Sequence, residues 1–175
     1  RRKDNTPLPW LTYSAISFLE ERLRPSFELF EYGSGLSTIY FQGRVKKITS
    51  VEHSREWVEI VREKVDADKV VLLHRSVEGG SQAYADAILE RDEKYDLVIV
   101  DGRERVQCFS RAFDALADDG VIIFDDADRP RYQEIFAIAS SRNFASLRFR
   151  GLRPAGCLIN STVIFYQRNH NNLNI

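Results

Sequence analysis

The stretch "FELFEYGSGLST", residues 27–38, joins an apolar strand, a turn with two glycines and the opening of a helix. A strand rich in Phe and Leu that ends in a glycine turn and then in hydroxyl residues has the pattern of a buried parallel strand feeding its crossover helix. Gly33 and Gly35 allow a tight turn and close approach of a ligand to backbone, and the helix start behind them offers free N–H groups.

Working outward, the same signature recurs. "VKKITSVE" (45–52), "KVVLLH" (69–74), "YDLVIVDG" (95–102) and "GVIIFDD" (120–126) are short, rich in Val, Ile, Leu or Phe, and closed by acidic, glycine or polar residues. Helical stripes lie between them. "REWVEIVREKV" (55–65) carries Trp57, Val58, Val61 and Val65 on one face with Ser54 as N-cap, and 81–92, 106–117 and 131–142 carry comparable patterns. A leading helix is predicted over 12–23. This alternation predicts a single-domain, doubly wound α/β sheet with right-handed crossovers. After residue 142 the rhythm changes: "FASLRFRGL" and "STVIFYQ" are separated only by the loop "RPAGCLIN", too short for a helical crossover, so these two strands are expected to be antiparallel neighbours. The predicted organisation is a leading segment over 1–26, the α/β domain over 27–168, and a polar tail over 169–175 that is expected to be unstructured.

At 175 residues and 43% hydrophobic content the chain can bury a core without staples. Its net charge of −1 gives no field that would draw it onto nucleic acid or an anionic membrane, and no basic stripe with interleaved aromatics appears. A small-molecule partner is expected instead. Cys108 and Cys157 stand in no metal or redox spacing, and no signal-like segment opens the sequence, so reduced thiols in a cytoplasmic protein are expected. The sequence has no methionine, even at position 1, which leaves its true start open, and nothing in it sets the oligomeric state, a dimer included.

In open α/β sheets ligands sit beyond the carboxyl ends of the strands. Glu52 closes the second strand, 21 residues after Glu31, a spacing suited to a carboxylate on ribose hydroxyls. A nicotinamide dinucleotide fits that spacing too. Thr38 in place of the third glycine, and Glu31 beside a pyrophosphate, disfavour it. A ligand with a cationic amino acid portion, such as S-adenosylmethionine, suits Glu31 better. Each acid also has an ordinary structural reading, Glu31 as a helix-start carboxylate and Glu52 as a solvated strand end.

With these motifs the chain resembles the class I S-adenosylmethionine-dependent methyltransferases: "FEYGSG" looks like their first motif, "SVEHS" like their second and "YDLVIVDG" like their fourth. The resemblance implies a mostly parallel seven-stranded sheet with a C-terminal antiparallel hairpin. It implies that Glu31, Gly33, Gly35, Ser37 and Thr38 hold the methionine portion, Glu52 the ribose, and that Ser76 and Val77 lie near adenine. The runner-up readings are an NAD-dependent oxidoreductase and a non-catalytic cofactor-binding module.

The fourth and fifth strands finish with Asp101 and with Asp125 and Asp126. If the strands adjoin, three carboxylates gather and something must neutralise them. Mg²⁺ is one answer, since it takes oxygen ligands and can hold a substrate hydroxyl. The arrangement is similar to that of metal-dependent O-methyltransferases, which implies Asp101, Asp125 and Asp126 as metal ligands and Asp101 as a catalytic residue. The other answer is guanidinium. Arg103 and Arg105 follow Asp101, and Arg129 and Arg131 follow the aspartate pair; these four can neutralise the cluster or bind an anionic substrate. His74, Asp101 and Lys94 are all formally available as a general base.

Overall fold

The structure is a computed structural model that describes residues 7–154 and 156–175. The first six residues of the predicted leading segment lie outside the described residues. The remainder forms a seven-stranded sheet with helices on both faces. In chain order the elements are α1 (Tyr13–Glu20), β1 (Glu28–Tyr32), α2 (Leu36–Phe41), β2 (Lys47–Glu52), α3 (Arg55–Arg62), β3 (Val70–His74) and α4 (Gln82–Asp86). There follow β4 (Tyr95–Val100), α5 (Arg105–Ala115), β5 (Leu116–Phe124), α6 (Glu134–Ser141), β6 (Phe144–Arg153) and β7 (Gly156–Gln167). The strand order is β3-β2-β1-β4-β5-β7-β6, with β7 antiparallel to both of its neighbours and all other pairs parallel.

The chain builds this sheet for reasons visible in its residues. The parallel strands bury both faces, so β1, β4 and β5 present Phe30, Tyr32, Val98, Val100, Ile122 and Phe124 to one layer and Leu29, Leu97, Ile99, Val121 and Ile123 to the other. The helices return apolar stripes: Cys108, Phe109 and Ala112 of α5 cover the first layer, Ala15, Ile16 and Leu19 of α1 the second. Ser54 caps α3 as expected, its Oγ accepting from Trp57 N at 3.2 Å. No helix among the described residues is long and apolar enough to cross a membrane.

Two expectations are corrected. The segment "RPAGCLIN" is mostly strand rather than loop, because β7 starts at Gly156 and pairs with β6 almost to its tip. The tail is ordered: Leu173 is fully buried against the α1 layer, Asn172 Nδ2 donates to Asp96 O at 2.8 Å, and Asn172 N donates to Asp119 O at 2.8 Å. The tail's two apolar side chains, Leu173 and Ile175, pack on the core and the Asn172 amide ties the backbone beside them.

The order reverses between β1 and β4, which carry their crossovers in opposite directions. This switch point leaves a crevice beyond the carboxyl ends of the strands.

Candidate active site

A cavity of about 470 Å³ opens at that crevice. Its floor is where the turns after β1 and β4 meet. Gly33 has φ +98°, and a Cβ there would stand 2.8 Å from Gly102 Cα; a Cβ on Gly102 would lie 2.0 Å from Tyr84 Oη and 3.0 Å from Gly33 N. Only two facing glycines let these turns cross so closely.

One end of the cavity is lined by Gly33, Ser34, Gly35, Leu36 and Ser37, with Glu52, His53 and Trp57 beside them. The turn is held from below. Thr38 Oγ1 accepts from Gly35 N at 2.9 Å and donates to Glu31 Oε2 at 2.5 Å, and Ser50 Oγ donates to the same oxygen at 2.8 Å. Trp57 Nε1 fastens the outer edge to Ser34 O at 2.7 Å. Glu31 is wholly buried, and burial pushes its pKa up against the pull of the Ser37, Thr38 and Ser50 hydroxyls. Its other oxygen, Oε1, is buried and accepts no hydrogen bond among the described residues. Glu52 Oε1 accepts from Ser54 N at 2.9 Å and lies 2.6 Å from His53 Nδ1.

The other end is lined by Asp101, Gly102, Arg103, Arg105, Asp126, Arg129, Arg153 and Trp10. The parallel register Val100↔Phe124 brings Asp101 level with Asp125 and Asp126, and ligating oxygens of the three lie within 4.8 Å of one another. Arg105 is the bolt between them. Its Nη2 lies 2.8 Å from Asp101 Oδ1 and its Nη1 3.3 Å from Asp126 Oδ2, while Nε and both Nη groups donate to the carbonyls of Gly102, Asp125 and Asp101 at 2.7 to 3.0 Å. Arg129 pairs with Asp126 Oδ2, and Arg153 reaches Asp126 Oδ1 at 3.3 Å and Asp125 Oδ2 at 3.8 Å.

Asp125, fully buried, is satisfied from β7. Because β7 runs antiparallel, its beginning lies at the carboxyl edge: Thr162 Oγ1 donates to Asp125 Oδ1 at 2.7 Å and Asn160 Nδ2 to both oxygens at 3.1 and 3.3 Å. Thr162 Oγ1 also accepts from Thr12 N at 3.0 Å, tying in the start of α1. Burial pushes the Asp101 and Asp125 carboxyls well above the usual carboxylate range. Arg105 opposes this at both sites, and Asp126 reinforces it. Among the described residues, five of the six oxygens of these carboxylates face a donor or cation. Asp101 Oδ2 is the one that does not, and Asp101 is the member with its side chain 23% exposed.

Residues 30–127 match the family described as a methyltransferase domain. The chain belongs to that family. This methyltransferase domain shares its fold with solved structures at low identity. An O-methyltransferase from Bacillus cereus, in complex with SAH, superposes with a TM-score of 0.69 at 18% identity, covering 94% of this chain and 86% of the other. An O-methyltransferase from Streptomyces achromogenes involved in tomaymycin synthesis, in complex with SAM, gives 0.68 at 16% identity, covering 86% and 77%. An rRNA methylase from Streptococcus thermophilus gives 0.67 at 12%, covering 89% and 96%. No curated protein matches the sequence.

The methyltransferase brings most of the predicted residues to one cavity, and others it does not. Gly33, Gly35, Ser37, Glu52, Asp101, Arg103, Arg105, Asp126 and Arg129 line the cavity. Glu31 and Thr38 lie beneath it as a support, and Asp125 lies behind Asp126. Ser76 and Val77 are not on its wall; Ser76 Oγ accepts from Glu78 N, and Val77 packs on the core. Arg131 is also off the wall, its guanidinium 4.8 Å from the Tyr132 ring. Of the three formal bases only Asp101 reaches the cavity, for Lys94 Nζ donates to Asp114 O at 2.8 Å and His74 Nε2 lies 3.2 Å from His53 O. Trp10, Trp57, Arg153, Asn160 and Thr162 are site residues that spacing alone does not reveal.

The cofactor end fits S-adenosylmethionine on its donor set: an orphaned buried carboxylate oxygen under the glycine turn for a cationic amino acid portion, and Glu52 at the strand end for ribose hydroxyls. The acidic end fits a divalent cation in spacing but not in charge, because guanidiniums already stand against the aspartates.

Proposed function

We propose that this domain is an S-adenosylmethionine-dependent O-methyltransferase acting on a small, anionic hydroxyl compound. The observation that carries the reading is the single cavity with two chemically different ends, a glycine turn with Glu52 on one side and Asp101 among guanidiniums on the other. S-adenosylmethionine supplies an electrophilic methyl group on its sulfonium. Solved neighbours with this fold were determined with SAM or SAH, which supports the same ligand here.

The residues divide the work. Glu52 and the backbone of Gly33–Ser37 hold the cofactor, and Glu31 presents negative charge from below. Asp101 is oriented by Arg105 on Oδ1, which leaves Oδ2 to take the proton from the acceptor hydroxyl. Its upward-shifted pKa makes it a better proton acceptor once ionised. Arg103, exposed, and Arg129, half-exposed and paired with Asp126, border the cavity and bind the acceptor's carboxylate or phosphate. Trp10, half exposed at the rim, gives a flat apolar face for the acceptor's ring. Arg105, Arg129 and Arg153 stand against the three aspartates, and Arg103 adds a further positive charge on the cavity wall that suits an anion. The chain's net charge of −1 favours a small molecule over nucleic acid as acceptor.

The test is transfer of labelled methyl from S-adenosylmethionine to a panel of hydroxy acids, catechol-type acids and sugar phosphates, beside neutral analogues. Turnover of an anionic member, with KM raised at least ~10-fold by Arg129→Ala for about 1.4 kcal/mol of lost binding, supports the reading. Turnover confined to neutral analogues would remove the anionic assignment.

A further inference from the structure

We infer that this site works without a divalent cation, because Arg105, Arg129 and Arg153 hold the positive charge that an ion among Asp101, Asp125 and Asp126 would supply. The functional part of the inference rests on the methyltransfer reading. The absence of ion binding does not, and it is measured separately.

The geometry is specific. A hard cation such as Mg²⁺ needs oxygen ligands at roughly 2.0–2.1 Å in near-octahedral geometry, with their lone pairs directed at it. Here both oxygens of Asp126 are faced by guanidiniums, Oδ1 by Arg153 at 3.3 Å and Oδ2 by Arg105 at 3.3 Å and by Arg129. Asp125 spends its oxygens on Thr162 and Asn160, with Arg153 at 3.8 Å. Asp101 keeps one free oxygen, which cannot by itself bind an ion from water.

Charge leads to the same conclusion. Three guanidiniums already balance three carboxylates, so an added dication would leave two uncompensated positive charges in a largely buried cluster, which is strongly unfavourable at low effective dielectric. Nor can Arg105 step aside. It is 9% exposed and donates to the carbonyls of Gly102, Asp125 and Asp101, which would be left buried and unpaired. Arg129 and Arg153 border the cavity while paired with Asp126, so their positive charge faces an acceptor without leaving the aspartate.

The test is a titration of the full chain with Mn²⁺, read by calorimetry and by the electron paramagnetic resonance signal of free Mn²⁺, with and without S-adenosylhomocysteine. The wild type is expected to bind no Mn²⁺ up to about 1 mM, the weak end of protein Ca²⁺ sites, and its melting midpoint should not move with chelator or Mg²⁺. The double variant Arg129→Ala with Arg153→Ala, which strips Asp126 Oδ1, is expected to gain affinity at least ~10-fold over wild type, as removal of two cations from the cluster requires. Stoichiometric binding to the wild type that Asp126→Asn abolishes would overturn the inference. A wild type and a double variant that are equally silent would overturn the assignment of the arginines as what fills the place. Loss of S-adenosylhomocysteine binding in every form would count against the methyltransfer reading and leave the ion result to stand or fall by itself.

Discussion

Replacing Thr162 by Val tests how the buried aspartate is held. The branched shape is kept, but the hydroxyl that accepts from Thr12 N at 3.0 Å and donates to Asp125 Oδ1 at 2.7 Å is lost. The stranded Thr12 N–H costs about 1–3 kcal/mol, and a hydrogen bond to a charged group is worth about 1.5–3 kcal/mol. Asn160 still donates to both oxygens of Asp125, so the sum is partly offset, and about 2–4 kcal/mol is expected near neutral pH. For a chain of this size that lowers the melting midpoint by roughly 5–12 °C.

The effect has a pH signature. Asp125 has a folded-state pKa above its unfolded value of 3.8, so the folded state holds the proton more tightly, and stability falls as pH rises from 3.8 through the raised pKa. The Thr162 hydroxyl favours the charged form. Its loss raises the folded pKa further, and the penalty of the variant grows across the same window. Below about pH 3, roughly a unit under the unfolded value of 3.8, both states are protonated and only the neutral contacts are lost, on the order of 1–2 kcal/mol. Denaturant unfolding followed by the fluorescence of Trp10 and Trp57 at several pH values measures this. A penalty under about 1 kcal/mol, or one that does not change between about pH 4.5 and 8, would refute the reasoning.

Gly102→Ala places a methyl 2.0 Å from Tyr84 Oη and 3.0 Å from Gly33 N, so the crossing of the two turns must open; equilibrium unfolding should show a loss of about 1–3 kcal/mol together with weakened cofactor binding. Leu173→Ala removes a fully buried side chain from the docked tail and should cost about 2–4 kcal/mol by the same assay, where an unstructured tail would cost nothing. Asp101→Asn keeps the shape but removes the proton acceptor. Once an acceptor is known, single-turnover rates should fall about 10²–10⁴-fold, and the rise of rate with pH through the elevated Asp101 pKa should vanish.

The sheet was legible because its signals are local. Strands such as "YDLVIVDG" are continuous apolar runs with a polar stop, and those stops fall at the carboxyl edge where the cavity lies. The acidic cluster followed from strand ends alone. What neutralises it did not. Arg105 was visible beside Asp101, yet only the turn of α5 shows that its guanidinium points back into the cluster. Arg153, Asn160 and Thr162 come from the hairpin, whose antiparallel direction brings the beginning of β7 to the edge where parallel strands end. Polar "INST" directly before "VIF" carries that signal, but its glycine and proline neighbours in "RPAGCLIN" have the composition of a loop. Ser76 and Val77 rest on resemblance alone, and neither is among the residues that line the cavity. The tail's order is not legible from composition: Leu173 and Ile175 among asparagines show no periodicity, and their burial depends on a tertiary groove.

The central claim, that the cavity at the switch point is a cofactor site for methyl transfer, is tested most directly by calorimetric titration of S-adenosylhomocysteine into the wild type and into Glu52→Gln. One molecule per chain is expected at micromolar Kd, about −8 kcal/mol, with at least ~10-fold weaker binding in the variant while it still unfolds cooperatively from a folded state. No heat of binding up to about 1 mM ligand, where even a −4 kcal/mol interaction would register, would contradict the account.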